Sequence, residues 1–236
     1  MTVHGKKYNA AVALLEKDKQ YAVSEAIELA KKSAYAAFDE TVEVHLKMGL
    51  NARSADQQVR GVALLPHGLG KQIRVLVFAQ GPAAKAAMDA GADHVGADDI
   101  VKQIEDGWLE FDTAMATPDM MPKVAKLGKI LGRRGLMPNP KSGTVVQAAD
   151  LPRAIADARK GRVEYRLDRT AIIHLAIGKI SFDEQKLQEN FSAVMDAIIK
   201  AKPSGAKGQY IKSVTLTTTM GPGFKLDLKS ATTLAE

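Results

Sequence analysis

The sequence predicts a mixed α/β and α+β protein in which a discontinuous α+β domain, made from both chain ends, is interrupted by an α/β insert. Apolar and polar residues alternate over residues 41–48, as in a half-buried strand, and the alternation returns after residue 162. Between them, residues 73–79 (IRVLVFA) form an almost continuous apolar run, which is typical of a strand covered on both faces. The two outer segments therefore resemble each other and differ from the middle one.

The first outer segment begins with two predicted helices and continues with two strands. Residues 8–19 and 22–36 carry helical patterns, and Ser24 is a candidate N-cap of the second helix. Strands are predicted at residues 41–50 and 59–65. In the earlier strand the apolar side chains occupy one face, and the opposite face carries Thr41, Glu43, His45 and Lys47.

The middle segment, residues 69–159, has the order of a βαβ unit. Its apolar strand is followed by predicted helices at residues 81–93 and 98–107 and by a strand at residues 111–117. Its length of about 90 residues is ordinary for a domain. Connections that contain glycine flank the segment, and glycine adds backbone freedom where few contacts cross. A hinge between two lobes is therefore predicted at Gly68, Gly70 and Gly161.

The second outer segment returns to strands and one long helix. Strands are predicted at residues 163–168, 171–178 and 211–221, the last of these closing the fold, with an amphipathic helix at residues 183–203.

The last predicted strand presents a row of hydroxyl groups. Alternation turns Val214 and Leu216 to one face, and the other face carries Ser213, Thr215, Thr217 and Thr219. The glycine-containing turn at residues 220–223 would let another backbone approach closely. Hydroxyl groups both donate and accept hydrogen bonds, so they match ribose 2′-hydroxyl groups. The row predicts an RNA-binding surface, although β-branching alone also favours a threonine-rich edge strand.

Other polar residues are predicted to extend this surface. On the strand at residues 163–168 and just after it, one face carries Arg162, Glu164, Arg166 and Asp168. His174, Glu43 and His45 are further candidates. A carboxylate can accept hydrogen bonds from guanine or from a ribose hydroxyl, which would give selectivity. The alternative for His174 is a half-buried imidazole that is satisfied within the protein.

Basic residues cluster between Asp119 and Asp150, a stretch that contains no acidic residue. The cations are Lys123, Lys126, Lys129, Arg133, Arg134 and Lys141. With a net charge of +6, the cluster favours binding of a polyanion through its phosphates. The alternative is a rigid structural loop fixed by Pro138 and Pro140.

Several functional classes lack support in the sequence. The chain has no cysteine, which excludes disulfides, thiolate zinc sites and a cysteine nucleophile. Phosphate-loop, dinucleotide and serine-elbow motifs are absent, and the five histidines lack metal-ligand spacing. An enzyme that binds a nucleotide or phosphorylated metabolite through the insert remains as the alternative function. No signal peptide or membrane-spanning run is found, so a soluble, cytoplasmic protein is expected.

Five segments together resemble the bacterial large-subunit ribosomal protein L-one family, which forms the mobile stalk beside the tRNA exit site. They are FDETVEVHLKMGL (38–50), DQQVRGVALLPHGLGK (56–71), LGKILGRRGLMPNPKSGTV (127–145), RVEYRLDRTAIIHLAIGK (162–179) and TTTMGPG (217–223). The sequence departs from the family pattern at Arg133, where proline is expected, and at Arg169 and Ala171, where lysine and glycine are usual.

The resemblance implies a split-βαβ α+β domain, residues 1–68 and 160–236, that binds 23S rRNA, and an inserted Rossmann-like three-layer α/β domain, residues 69–159. It implies a non-catalytic constituent of the large ribosomal subunit that needs no cofactor and is a monomer when free. Partners would also include exit-site tRNA, whose release it assists, and the protein's own operon mRNA, whose translation it represses. With Thr215 added from the hydroxyl row, the positions that match the family's RNA contacts are Phe38, Thr41, Glu43, Arg166, Asp168, Arg169, Thr170, His174, Ser213, Thr215, Thr217, Thr219, Met220 and Gly221.

Overall fold

A computed structural model describes residues 5–16 and 19–233. These residues divide into two compact units, with boundaries between Gly70 and Lys71 and between Lys160 and Gly161. The helices are α1 (Lys6–Val12), α2 (Val23–Ser33), α3 (Pro82–Asp89), α4 (Asp98–Glu105), α5 (Met121–Val124), α6 (Gly128–Arg133), α7 (Leu151–Arg159), α8 (Glu184–Lys200) and α9 (Leu228–Thr233). The strands are β1 (Thr41–Met48), β2 (Arg60–Leu64), β3 (Val75–Phe78), β4 (His94–Gly96), β5 (Thr113–Ala116), β6 (Arg162–Arg166), β7 (Ile172–Lys179), β8 (Ile211–Thr218) and β9 (Phe224–Leu226).

The first unit contains both chain ends and is built on a four-stranded antiparallel sheet. The strand order is β7-β1-β8-β9, and β2 pairs with β6 in a separate two-stranded sheet. On β1 buried and half-buried residues alternate strictly, as the sequence pattern predicts. Helices α2 and α8 cover the inner face of the larger sheet, and Phe191 and Met195 of α8 are fully buried there. One face of the four-stranded sheet is thus core, and the other is open.

The second unit, Lys71–Lys160, is a three-layer α/β structure. Its parallel sheet has the order β4-β3-β5, and every residue of the central strand β3 is buried. Leu76 and Phe78 face one apolar cluster, whereas Val75 and Val77 face another on the opposite side of the sheet. Burial on both faces explains the continuous apolar run of β3.

Several sequence predictions are corrected by the structure. Ser24 does not cap α2, because the N-cap position is Ala22 and no side chain bonds there. Helix α1 ends at Val12, short of the predicted residues 8–19, of which 17 and 18 lie outside the described residues. β8 does not close the fold, since β9 and α9 follow it. The sequence predictions also lack β4 and α7, which complete the second unit.

The chain passes from the first unit to the second near Gly70 and returns near Gly161, and these two connections are called the first and second crossings. A buried asparagine of the first unit binds the first crossing. The side chain of Asn190 on α8 donates hydrogen bonds to the carbonyls of Gly68 (3.0 Å) and Ile177 (2.7 Å), and accepts one from the His67 amide (3.1 Å). The second crossing lies against the first, because a Cβ on Gly161 would sit 2.3 Å from the Cα of Gly68. Gly161 also has φ +105°, so glycine is required there on two counts.

Candidate nucleic-acid interface

The open face of the four-stranded sheet is mostly polar, and its apolar positions are Ile172 and Ala176 on β7, beside Lys47 and Glu43. Strand pairing sets His45 on β1 between His174 on β7 and Thr215 on β8. In the neighbouring rows Glu43 lies beside Thr217, and Lys47 lies beside Ser213. Because side chains alternate along each strand, the apolar residues between these positions, such as Val44 and Leu46, point into the core. The structure therefore brings side chains from three strands onto one surface, called the polar sheet face below.

The hydroxyl row on β8 divides into free and engaged groups. Within the described parts of the chain, the hydroxyls of Ser213 and Thr215 have no protein partner. The hydroxyl of Thr217 lies 3.1 to 3.3 Å from the carbonyl oxygens of residues 218, 221 and 222. The hydroxyl of Thr219 accepts a hydrogen bond of 2.9 Å from the Thr41 amide. The first two hydroxyls can donate to a ligand, while those of Thr217 and Thr219 hold the adjoining turn and β1.

The turn after β8 has a fixed shape that needs glycine. The Gly221 amide donates to the hydroxyl of Thr218 at 3.1 Å, and a Cβ on Gly221 would lie 2.3 Å from that same oxygen. The phenol of Tyr35 donates to the Met220 carbonyl at 2.7 Å, which ties the turn to the segment that contains Phe38. Phe38 is 56% exposed and Met220 is 48% exposed. Two large apolar side chains thus stand open beside the polar sheet face.

Glu40 anchors this turn, although it is not among the residues predicted from the sequence. The carboxylate is buried and accepts hydrogen bonds from the amides of Tyr35 (3.2 Å), Ala36 (2.9 Å) and Met220 (3.1 Å). Burial alone would raise the pKa of the Glu40 carboxyl, but the Thr218 hydroxyl and the three amides outweigh burial and lower it. The sequence does carry a signal for Glu40. Its position is in phase with the buried Val42, so alternation places an acidic side chain on the inward face of the sheet.

A tight turn between β6 and β7 borders the polar sheet face. Asp168 accepts hydrogen bonds from the amides of Thr170 (2.8 Å) and Ile172 (2.7 Å) and from the Thr170 hydroxyl. Burial opposes ionisation of Asp168, yet these hydrogen bonds lower its pKa to about 2. Lys47 donates to the Thr170 carbonyl, which fastens the turn to β1. Ala171 has φ +60°, a left-handed conformation that glycine adopts more readily than alanine.

The prediction that Arg162, Glu164 and Arg166 extend the polar sheet face is wrong for the first two residues. The strand that carries Arg162, Glu164 and Arg166 pairs with β2 and does not extend the four-stranded sheet. Arg166 is exposed at the end of β6, opposite Arg60, and the chain then leads into the Asp168 turn. Arg162 and Glu164 are therefore not part of the polar sheet face, and Arg166 lies at its border.

The basic segment of the second unit is not one continuous loop. It forms α5, α6 and a short 3-10 turn at Pro140–Ser142, where the Asn139 side chain accepts from the Lys141 amide at 2.8 Å. Lys123 is paired with Asp98 at 2.8 Å, so an acid distant in sequence neutralises it. The remaining cations are exposed and form no ion pair with any described residue: Lys126, Lys129, Arg133, Arg134 and Lys141.

Comparison with known proteins decides the family. Residues 30–222 match the Ribosomal protein L1p/L10e family. The chain belongs to this family. It is 63% identical over 234 residues to the large ribosomal subunit protein uL1 of Dehalococcoides mccartyi strain BAV1, with 99% of each chain covered. It is 57% identical to the proteins of that name from Chloroflexus aurantiacus, with 99% of each chain covered, and Chloroflexus aggregans, with 97%. The resemblance identified from the sequence is confirmed.

Family membership makes the chain a structural ribosomal protein and not an enzyme. Within the residues that the structure describes, no three histidine, aspartate or glutamate side chains are grouped to hold a metal ion. No helix in those same ranges is long and apolar enough to cross a bilayer. Because RNA binding is general for this family, the polar sheet face is the candidate RNA-binding surface of the first unit.

Proposed function

We propose that the chain is a constituent of the large ribosomal subunit and that its first unit binds 23S rRNA of the mobile stalk through the polar sheet face. The observation that supports this most is the Met220 turn, whose shape is set by Glu40 before any ligand is present. A preorganised surface loses little conformational entropy when it binds, so its hydrogen bonds contribute more to affinity.

The face suits folded RNA better than a uniform polyanion. The free hydroxyls of Ser213 and Thr215 can donate to and accept from ribose 2′-hydroxyls. Phe38 and Met220 provide exposed apolar groups on which a base or sugar can lie. The carboxylates of Glu43 and Asp168 repel phosphates, so the backbone of the RNA must run along the rim.

The exposed cations of the second unit favour a second RNA contact, for which we propose exit-site tRNA. Five exposed positive side chains, from Lys126 to Lys141, form no ion pair with any residue that the structure describes. Contacts of this kind position phosphates without reading sequence. A hinge at Gly68, Gly70 and Gly161 would let this contact follow the departing tRNA and assist its release.

Repression of the protein's own operon mRNA follows from the same surface. If that messenger presents the fold of the ribosomal site, both RNAs must occupy the polar sheet face and exclude each other. Competition between a labelled 23S stalk fragment and the messenger leader measures this directly. Simultaneous binding of both RNAs to one chain would contradict it.

The rRNA proposal is tested by substituting the exposed methionine of the turn. Met220→Asp should weaken binding of a 23S stalk fragment at least about tenfold, because it puts a charge against RNA where an apolar contact stood. Met88 on α3 is 58% exposed, so Met88→Asp is a matched control that should bind as the unsubstituted protein does. Circular dichroism checks that both variants are folded. Equal affinities of the two variants in a filter-binding assay would refute the proposal.

A further inference from the structure

Two imidazole rings face each other at the centre of the polar sheet face. His45 on β1 and His174 on β7 are register partners, and their Nδ1 atoms lie 2.8 Å apart. The ring centroids are 4.9 Å apart, with an angle of 66° between the ring planes. A hydrogen bond needs one donor and one acceptor, so only one of the two Nδ1 atoms can carry hydrogen.

A carboxylate lies near the outer nitrogen of each ring. Nε2 of His45 is 3.8 Å from a carboxylate oxygen of Glu43, and Nε2 of His174 is 3.6 Å from one of Asp168. Both carboxylates favour an N–H on the nitrogen that faces them. Hydrogen on both outer nitrogens and one shared hydrogen between the rings gives three N–H groups on four nitrogens. The arrangement thus accommodates a single positive charge on the pair, and a second would set two Nδ1–H groups against each other.

The two rings are not equally exposed. The side chain of His45 is 27% exposed, whereas that of His174 is 52% exposed. His45 lies between His174 and Thr215, so it is held from both sides, and His174 is the ring that a ligand can reach.

We propose that His45 is a positioning residue for RNA binding, which holds the His174 ring in its ligand-facing orientation through the hydrogen bond between their Nδ1 atoms. The inference rests on the proposed binding of rRNA to this face. His45 itself was not among the residues that match the family's RNA contacts.

The charged groups around the two rings influence how readily the His45–His174 pair takes up a further proton. The groups near the rings are Glu43 and Lys47 on β1, Asp168 and Arg169 in the turn before β7, and Lys225 on β9 beyond Thr215. Burial lowers the pKa of His45, repulsion from His174 lowers it further, and Glu43 opposes both. These surroundings disfavour the charged form of His45, and a second proton on the pair would set two Nδ1–H groups against each other.

The test compares two substitutions of His45 that differ in whether the new side chain can form a hydrogen bond near the position of Nδ1. Asparagine places an amide near the position of Nδ1 and can donate to or accept from His174, whereas phenylalanine keeps the ring volume without a nitrogen. His45→Phe should weaken binding of the 23S stalk fragment about tenfold, and His45→Asn should restore most of that loss. His94→Phe in the second unit is the matched control, because His94 packs edge-on against Trp108 and lies outside the first unit.

The pH profile separates positioning from simple charge. When the pH falls from 7.5 to 5.5, the affinity of the unsubstituted protein should fall relative to His45→Asn, because a second proton separates the rings only where both are histidine. If the imidazoles acted merely as cations towards phosphate, the affinity of the unsubstituted protein would instead rise relative to that of His45→Asn, and the proposal would be wrong.

A measurement on the free protein separates failure of this proposal from failure of the proposed function. Two-bond ¹H–¹⁵N NMR of the histidine rings should show one protonated and one unprotonated Nδ1 at neutral pH, and His45→Phe should change the His174 signals. Unchanged His174 signals overturn the inference even if RNA binds. The inference is also overturned if a His45 variant loses the NMR pattern of one protonated and one unprotonated Nδ1 but binds RNA with undiminished affinity. Absence of RNA binding by the unsubstituted protein would instead overturn the proposed function.

Discussion

Replacing Glu40 with alanine should destabilise the first unit by about 3 kcal/mol and loosen the Met220 turn. The carboxylate accepts hydrogen bonds from three backbone amides at 2.9 to 3.2 Å and bonds the hydroxyl of Thr218. An alanine leaves these donors without an acceptor in a buried place.

The magnitude follows from counting donors. A donor left unsatisfied costs about 1 to 3 kcal/mol when buried, and water can reach part of the Tyr35 and Ala36 backbone, so about 1 kcal/mol for each amide is appropriate. Glu40→Gln keeps one acceptor oxygen and should cost about half as much. Glu43→Gln, on the open face of the same sheet, is the control and should change stability by less than about 0.5 kcal/mol.

The assay is urea unfolding followed by far-ultraviolet circular dichroism. The single tryptophan, Trp108, lies in the second unit, so its fluorescence reports that unit separately. The pKa of Glu40 is lowered below 4.5, so its contribution is complete above that pH and is lost as the pH falls through the folded-state value. A loss below about 1 kcal/mol for Glu40→Ala, with unchanged amide exchange at Met220, would refute this reasoning.

Further predictions concern stability and salt dependence. Asn190→Ala should cost about 3 kcal/mol in urea unfolding, because its buried side chain makes three hydrogen bonds that are lost; a loss below about 1 kcal/mol would contradict it. Ala171→Gly should stabilise the first unit by up to about 1 kcal/mol by relieving a left-handed alanine, and a decrease in stability would contradict it. Asp168, with a pKa of about 2, should keep its turn ordered until the pH falls well below 4, as NMR titration of the Thr170 amide can check. Lys129→Ala should lower the salt slope of tRNA binding by about one, and an unchanged slope would leave Lys129 without a phosphate contact.

Local patterns in the sequence predicted the elements and their faces well. Alternation on β1, and on β8 from Ser213 onward, assigned residues to the core or to the open face, because side-chain direction in a regular strand follows from position alone. Ile211 departs from this pattern and is buried, because the register of β8 shifts between Ile211 and Ser213. The continuous apolar run also predicted the fully buried β3. The family resemblance then identified candidate RNA contacts that composition could not assign.

Features that depend on pairing between distant segments could not be predicted locally. Alternation shows the direction of the Arg166 side chain but not that its strand pairs with β2. Likewise, the sequence shows no acid near Lys123, although Asp98 neutralises it in space. The His45 pair and the Glu40 anchor join residues 129 and 180 positions apart, so only the folded register reveals them.

The central claim is that RNA occupies the polar sheet face, and methyl NMR of the full chain tests it most directly. The protein has nine methionines, and selective labelling of methionine and threonine methyls places reporters on both units. Titration with a 23S stalk fragment should shift Met220, Thr215 and Thr219 first and most strongly. If instead Met88 and Met120 of the second unit respond while Met220 does not, the RNA binds elsewhere and the account is wrong.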